Sequence, residues 1–256
     1  MNGKYNQIVL VGHLPQKLIF SIDKEIIHKI TFITEKKPLP GTPAAKKILK
    51  ELIKYYEERK IPVNYVEFDF HLQTKPIAEL THLIYQQKLQ GFNNITVNIS
   101  GGLRYMIIWL YIACSITNTK IIHGNFIYEG SREVGIYSNM IIPTIPFQLI
   151  TDKQLEFLEL FFNHYDTYRD FFKPDLSFND NQLLIKRKKY KSLEEIKGAL
   201  ESKRNGSLSR GSINGFVQKL SKISAINIYP NPKDKKEKTI EISYIGIAYF
   251  IHKLFL

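Results

Sequence analysis

The 256-residue chain has only one cysteine, Cys114, and one tryptophan, Trp109. A single cysteine excludes an intrachain disulfide and a thiolate zinc site, and so indicates a protein of the cell interior. The longest apolar run, 106–116, is well short of the ~20 residues that span a bilayer. The opening segment MNGKYNQIVLVG also lacks the pattern of a signal peptide. We therefore expect a cytoplasmic protein with no membrane partner.

The sequence also lacks the common signatures of nucleotide cofactors and metals. It has neither a Gly-x-Gly-x-x-Gly fingerprint nor a Walker sequence, which argues against NAD and ATP. Its seven histidines show no metal-ligand spacing. We accordingly predict no cofactor and no metal site. Core material is abundant, with 44% hydrophobic residues, 16 Phe and 15 Tyr, and this excludes global disorder.

The first 146 residues alternate short apolar strands with helical stretches. This alternation implies parallel strand pairs with right-handed crossovers, and thus a Rossmann-like α/β domain with a mostly parallel sheet over residues 1–146. An antiparallel hairpin with its turn at Ser131–Gly135 is expected to close one sheet edge. The pattern predicts strands over 7–11, 29–34, 63–70, 94–100 and 120–128, and helices over 44–60, 76–89 and 104–116.

The segment Ile142-Pro-Thr-Ile-Pro146 cannot continue a helix or a central strand, and we interpret it as a linker. Thr151 is expected to cap a helix after it, and Ser192-Leu-Glu-Glu195 to form a capping box. The order of elements over 147–256 is that of a winged helix-turn-helix domain. It comprises helices over 152–163, 192–203 and 209–221, strands over 225–229 and 238–244 around a lysine-rich tip, and a helix over 247–254.

Charge supports double-stranded DNA as a partner of this second domain. Residues 186–240 carry 15 Lys and Arg against five Asp and Glu, a concentration that suits a phosphate backbone. The 209–221 helix would enter the major groove, and the wing would follow the phosphates. The alternative is a helix pair that mediates only dimer packing. The candidate DNA-binding residues are Ser209, Arg210, Ser212, Asn214 and Lys219 on the helix and Lys233, Lys235 and Lys236 on the wing.

Three loops follow predicted strands at the sheet edge where α/β proteins bind ligands. They are Val11-Gly-His-Leu-Pro15, Pro40-Gly-Thr-Pro43 and Asn98-Ile-Ser-Gly-Gly-Leu-Arg104. Paired glycines at a helix start let backbone N–H groups approach a phosphate, and Asn98, Ser100 and Arg104 add donors. We expect Thr42 to act as an N-cap, and a side chain at Gly102 to block the ligand with little loss of stability. The alternative is a tight turn with His13 and Arg104 as ordinary surface residues.

The motifs together resemble those of a known family. They are a Gly-Thr pair before the long helix, Asn-x-Ser-Gly-Gly-Leu-Arg after the fourth strand and a C-terminal winged helix. With these features the chain resembles the CRISPR-associated Rossmann fold (CARF) regulators of archaeal CRISPR loci. The resemblance implies a homodimeric transcriptional regulator. One pocket on its two-fold axis would bind a cyclic oligoadenylate, usually cyclic tetra-adenylate. The ligand-binding candidates are Gly12, His13, Thr42, Asn98, Ser100, Gly101, Gly102 and Arg104.

The chain departs from one pattern of this family. Members that cleave their own ligand commonly have Gly-Gly-Thr-Lys in the third loop. In this chain Leu103 and Arg104 stand in place of the Thr and Lys. Ribonuclease members carry Arg-x4-His in the C-terminal part, and residues 151–256 have no such spacing. We therefore favour a regulator over an enzyme. The alternative is a ring nuclease that cleaves cyclic tetra-adenylate, with His13 and Arg104 as the candidate catalytic residues.

Overall fold

The computed structural model describes residues 3–145, 150–162, 187–230 and 238–255. The chain divides into two compact units, Met1–Phe147 and Gln148–Leu256. The predicted wing residues Lys233, Lys235 and Lys236 lie outside the described residues. Within the described ranges, no helix is long and apolar enough to cross a membrane.

The first unit is built on a six-stranded sheet in the order β3-β2-β1-β4-β5-β6. Neighbouring strands among the first five run parallel, and β6 pairs antiparallel with β5. The predicted Rossmann-like α/β sheet is thus confirmed. The hairpin turn is shorter than expected, because Glu129 pairs directly with Arg132. The strands are β1 (Tyr5–Leu10), β2 (Lys29–Glu35), β3 (Val63–Phe68), β4 (Asn94–Asn98), β5 (Lys120–Glu129) and β6 (Arg132–Ile142).

Helices cover both faces of this sheet, which explains why its central strands are apolar over consecutive residues. On one face, α1 and α2 bury a core that includes Val9, Phe32, Leu52 and Tyr56. On the other face, α3 packs against α4. The helices are α1 (Pro15–Ile22), α2 (Thr42–Glu58), α3 (Lys75–Leu89) and α4 (Arg104–Thr117), and a 3₁₀ turn spans Phe70–Leu72.

Three expectations for the first unit are corrected by the structure. The α1 helix was missed, since it has only eight residues and too few turns to show a clear period. The strand predicted to Phe70 ends at Phe68, because the 3₁₀ turn begins at Phe70. Thr42 is the first residue of α2 rather than its N-cap, because the chain enters the helix through Gly41 at a φ of 89°.

The second unit has a three-stranded antiparallel sheet in the order β7-β9-β8. The expected reciprocal capping box at Ser192 is incomplete, because the Glu195 carboxylate accepts from the Lys191 N–H at 2.6 Å. A complete box is instead formed by Thr151 and Gln154. Apart from the two-residue β7, which was not predicted, the described elements follow the predicted order, and their assignment as a DNA-binding winged helix stays a prediction. They are α5 (Asp152–Glu159), β7 (Lys189–Tyr190), α6 (Leu193–Arg204), α7 (Arg210–Lys222), β8 (Ile226–Pro230), β9 (Lys238–Ile242) and α8 (Tyr244–Leu254).

Candidate functional site

The first and third predicted loops lie in direct backbone contact. They follow β1 and β4, which are neighbours in the sheet, so both emerge at the same edge. A Cβ placed on Gly12 would lie 2.7 Å from the Gly102 nitrogen, and one placed on Gly101 would lie 2.7 Å from the Gly12 nitrogen. Glycine at these positions therefore allows the two loops to pack together.

Gly102 serves a purpose different from the one we expected. Its φ is 82°, and a Cβ there would lie 2.3 Å from Cδ2 of the fully buried Leu10. A side chain at Gly102 would therefore be driven into the core. The prediction that it costs little stability is wrong, and the prediction that it blocks the ligand stays a prediction.

A shallow pocket of about 200 Å³ lies between the two loops. Lys17, which was not predicted from the sequence, reaches this pocket from the first turn of α1. Its ammonium lies 4.6 Å from the Phe126 ring centroid and 3.7 Å from a carboxylate oxygen of Glu133. Burial, and then the charge of Lys17, lower the pKa of the neighbouring His123. The pocket is lined by Gly12, His13, Leu14, Lys17, Ser100, Gly101, Gly102 and Leu103.

Two of the predicted polar residues lie beneath the pocket. Asn98 is fully buried, and its amide donates to Gln7 at 3.1 Å and to Ser21 at 2.9 Å. Its carbonyl oxygen accepts the Ser100 N–H at 3.0 Å. The structure therefore gives Asn98 the role of holding the third loop. Ser100 is 5% exposed and lines the floor of the pocket.

The second loop joins the other two through His13, whose Nε2 lies 3.1 Å from the carbonyl oxygen of Gly41. The side chain of His13 is exposed, whereas Thr42 is 5% exposed and does not line the pocket. Arg104 stands exposed at the first position of α4 and has no polar partner among the residues that the structure describes. No side chain in the same ranges caps this helix, so its first N–H groups are open to an anion.

A buried ionic cluster at the same sheet edge was not predicted. At the end of β2, Glu35 accepts from the Lys37 N–H at 2.9 Å and lies 3.3 Å from Nδ1 of His71. Beside it, Lys75 pairs with Asp69 and Glu79. Burial raises the pKa of Glu79 to about 7. These residues follow no spacing rule, because the order of the strands brings them together.

In the second unit, the candidate DNA-binding residues of α7 and its N-cap are all exposed. One side of the helix is buried through Ile213, Val217 and Leu220. Ser209 caps the helix by accepting the Ser212 N–H at 3.1 Å. Arg210 forms an exposed ion pair with Glu194 at 3.3 Å. The exposed candidates are Ser209, Arg210, Ser212, Asn214 and Lys219.

No protein-family model and no curated protein sequence matches this chain. Among solved structures, protein VC1899 from Vibrio cholerae is 12% identical with a TM-score of 0.39, covering 97% of this chain and 64% of that one. A type III CRISPR defence DNA nuclease activated by cyclic oligoadenylate is 9% identical with a TM-score of 0.40, covering 90% and 36%. Can2 from Sulfobacillus thermosulfidooxidans, in complex with cyclic tetra-adenylate, is 13% identical with a TM-score of 0.36, covering 97% and 63%. The chain spans less than two thirds of each, and likenesses of this size assign it no activity or ligand.

Proposed function

We propose that this chain is a DNA-binding transcriptional regulator controlled by a cyclic oligoadenylate, with cyclic tetra-adenylate as the expected ligand. One observation carries the proposal. Two glycine loops at the carboxyl edge of a parallel sheet form a pocket, with Lys17 in its wall and Arg104 at the adjacent helix start. Backbone N–H groups and basic side chains at such an edge suit a ligand with several phosphates.

The size of the pocket favours a site completed by a second copy of the chain. At about 200 Å³ it is smaller than the ~300–1,000 Å³ typical of small-molecule sites. A two-fold axis would place two such pockets face to face, and a cyclic tetranucleotide has matching symmetry. Apolar side chains are also exposed around the loops, where a partner would cover them. They include Leu14 (51% exposed), Leu103 (38%), Tyr105 (37%) and Ile108 (54%).

DNA as the other partner is supported by the charge of the second unit and by the exposed polar residues of α7. Arg210 is available to DNA because its ion pair with Glu194 is 74% and 58% exposed, and such pairs are weak. A ring nuclease is the second candidate, favoured by the exposed His13 in the pocket wall. In that case the bound ring would be opened to linear products.

Isothermal titration calorimetry of the full chain with cyclic tetra-adenylate tests the ligand. We expect Lys17→Ala and Arg104→Ala each to weaken binding about tenfold or more, the usual effect of a lost charge-assisted hydrogen bond. Lys50→Ala, which removes an exposed charge on α2, is the matched control and should leave affinity unchanged. No binding by the unaltered chain contradicts the proposal. Chromatography of the same mixtures identifies linear products, which would favour the ring nuclease.

A further inference from the structure

A chain of buried hydrogen bonds runs from the floor of the pocket to the edge strand β6. The Gly124 N–H donates to Ser100 Oγ at 2.9 Å. The Ser100 hydroxyl then donates to Ser21 Oγ at 3.0 Å, and the Ser21 hydroxyl donates to Asn139 Oδ1 at 2.8 Å. Gly124 and Asn139 are directly paired across β5 and β6. This series of hydrogen bonds therefore begins and ends at one residue pair of the hairpin and passes beneath the pocket.

The direction of this chain is set by the number of donors and acceptors. A serine hydroxyl has one proton and two acceptor positions. Ser21 Oγ, which is fully buried, accepts from the Asn98 amide at 2.9 Å and from Ser100, so its own proton is left for Asn139. The Asn139 amide donates to the Ser21 carbonyl oxygen at 2.8 Å and to Glu25 at 3.1 Å. Asn139 can thus serve Ser21 only as an acceptor.

Ser100 is the member of this chain that also lines the pocket. A phosphate oxygen in the pocket can only accept a hydrogen bond, and the single Ser100 proton is already donated to Ser21. A ligand oxygen that accepts the Ser100 hydrogen bond in place of Ser21 leaves one acceptor position of the Ser21 hydroxyl empty. Hydrogen bonds in a chain polarise one another, so the bond from Ser21 to Asn139 is weakened as well.

We infer that Ser21 is a positioning residue whose hydroxyl oxygen competes with the ligand phosphate for the hydrogen bond that Ser100 donates. The outcome of this competition reaches β6 through the hydrogen bond from Ser21 to Asn139. The inference rests on the proposed function. In sequence, β6 is the last element of the first unit before the chain continues to the second. Occupancy of the pocket therefore changes the pairing strength of the strand that leads to the proposed DNA-binding unit.

The competition gives Ser21→Ala an unusual sign. If Ser21 merely supported the loop, its loss would weaken ligand binding. If it competes for the proton, Ser21→Ala frees the Ser100 hydroxyl, and we expect cyclic tetra-adenylate to bind about two- to tenfold more tightly by calorimetry. Ser115→Ala is the matched control, because it removes a buried hydroxyl whose one hydrogen bond to the described residues is to the Tyr111 carbonyl of its own helix at 2.9 Å. Its affinity should stay within twofold of the unaltered chain.

Hydrogen–deuterium exchange of residues 132–142 measures the response of β6. In the unaltered chain, we expect cyclic tetra-adenylate to speed exchange near Asn139 at least threefold. Ser21→Ala and Asn139→Leu should abolish this response. Weaker binding by Ser21→Ala at unchanged melting temperature, or an intact response in both variants, overturns the inference alone. No binding by the unaltered chain overturns the proposed function together with it.

Discussion

At Gly102 the backbone conformation and the packing both require glycine. The φ of 82° disfavours any L side chain, and a Cβ would overlap Leu10. We expect Gly102→Ala to lower the free energy of unfolding by about 2–4 kcal/mol. Gly91 separates the two causes, because its φ is 87° and, beyond its two chain neighbours, no atom of the residues that the structure describes lies within 4 Å of a new Cβ. Gly91→Ala should cost only about 1 kcal/mol in urea denaturation, and equal losses in both variants would show that Leu10 is not in the way.

The buried carboxyl of Glu79 predicts a pH-dependent stability. Burial raises its pKa from 4.5 to about 7, so between these values the unfolded chain ionises Glu79 while the folded chain keeps it protonated. The free energy of unfolding contributed by this group therefore falls as pH rises from about 4.5 to 7, by on the order of 3 kcal/mol, and is constant above. Glu79→Gln should remove this slope in denaturation curves at pH 5 and pH 8. An unchanged difference between the two pH values would contradict the assignment.

Single residues were predictable from the sequence only where a local motif identified them. The glycines of the third loop and Arg104 follow a strand directly, and the structure places them at the expected sheet edge. Lys17 and Ser21 were not predictable, because they reach the site from α1, a helix too short to show a period. The contact of Lys17 with Phe126 further depends on β5 being the second neighbour of β1. Strand order decides such contacts, and neighbouring residues in the sequence do not reveal it.

At the scale of elements, strands β1 to β5 were predictable from their runs of β-branched and aromatic residues, which in β1 and β2 are buried on both faces. The turn of the hairpin was placed too late, because Gly130 at a φ of 64° already reverses the chain. The N-cap of α2 was misplaced for a similar reason. Gly41, held against His13, sets the entry to the helix, so that Thr42 begins it. In both cases the backbone freedom of glycine overrode a capping or turn preference read from side chains.

The proposed wing provides an element-scale prediction for DNA binding. Replacing Lys233, Lys235 and Lys236 with alanine should weaken binding to every DNA sequence, and should flatten the slope of log K against log salt by up to ~0.9 per lost phosphate contact. A matched variant with Lys47, Lys50 and Lys54 replaced, all exposed on α2, has the same net charge and should keep the slope. An unchanged slope in the wing variant, measured by fluorescence anisotropy from 50 to 300 mM salt, would exclude this segment from the DNA.

The candidate recognition helix predicts a different outcome. Arg210 and Asn214 lie exposed on α7, and a base-edge contact costs ~1–3 kcal/mol when lost, on the cognate site only. Arg210→Ala should therefore reduce the ratio of cognate to random DNA affinity about 5- to 150-fold, as measured on an operator selected from a random library. Glu194→Ala is the control, since it frees the same guanidinium from its ion pair and should not reduce that ratio. Equal weakening on cognate and random DNA would assign Arg210 to the phosphates.

At the scale of the whole molecule, a ligand site shared by two copies requires a fixed stoichiometry. One cyclic tetra-adenylate per two chains should be found by calorimetry, because both copies contribute the same loops to one ring.

Ile108, 54% exposed on α4, lies one turn beyond Arg104, so Ile108→Asp would place a charge in the proposed interface. We expect this variant to sediment as a monomer and to lose ligand affinity about 100-fold. Ile26→Asp, at a position that is 67% exposed, should remain dimeric and bind normally. A dimeric Ile108→Asp protein, or one ligand per chain, would exclude a pocket shared across this surface.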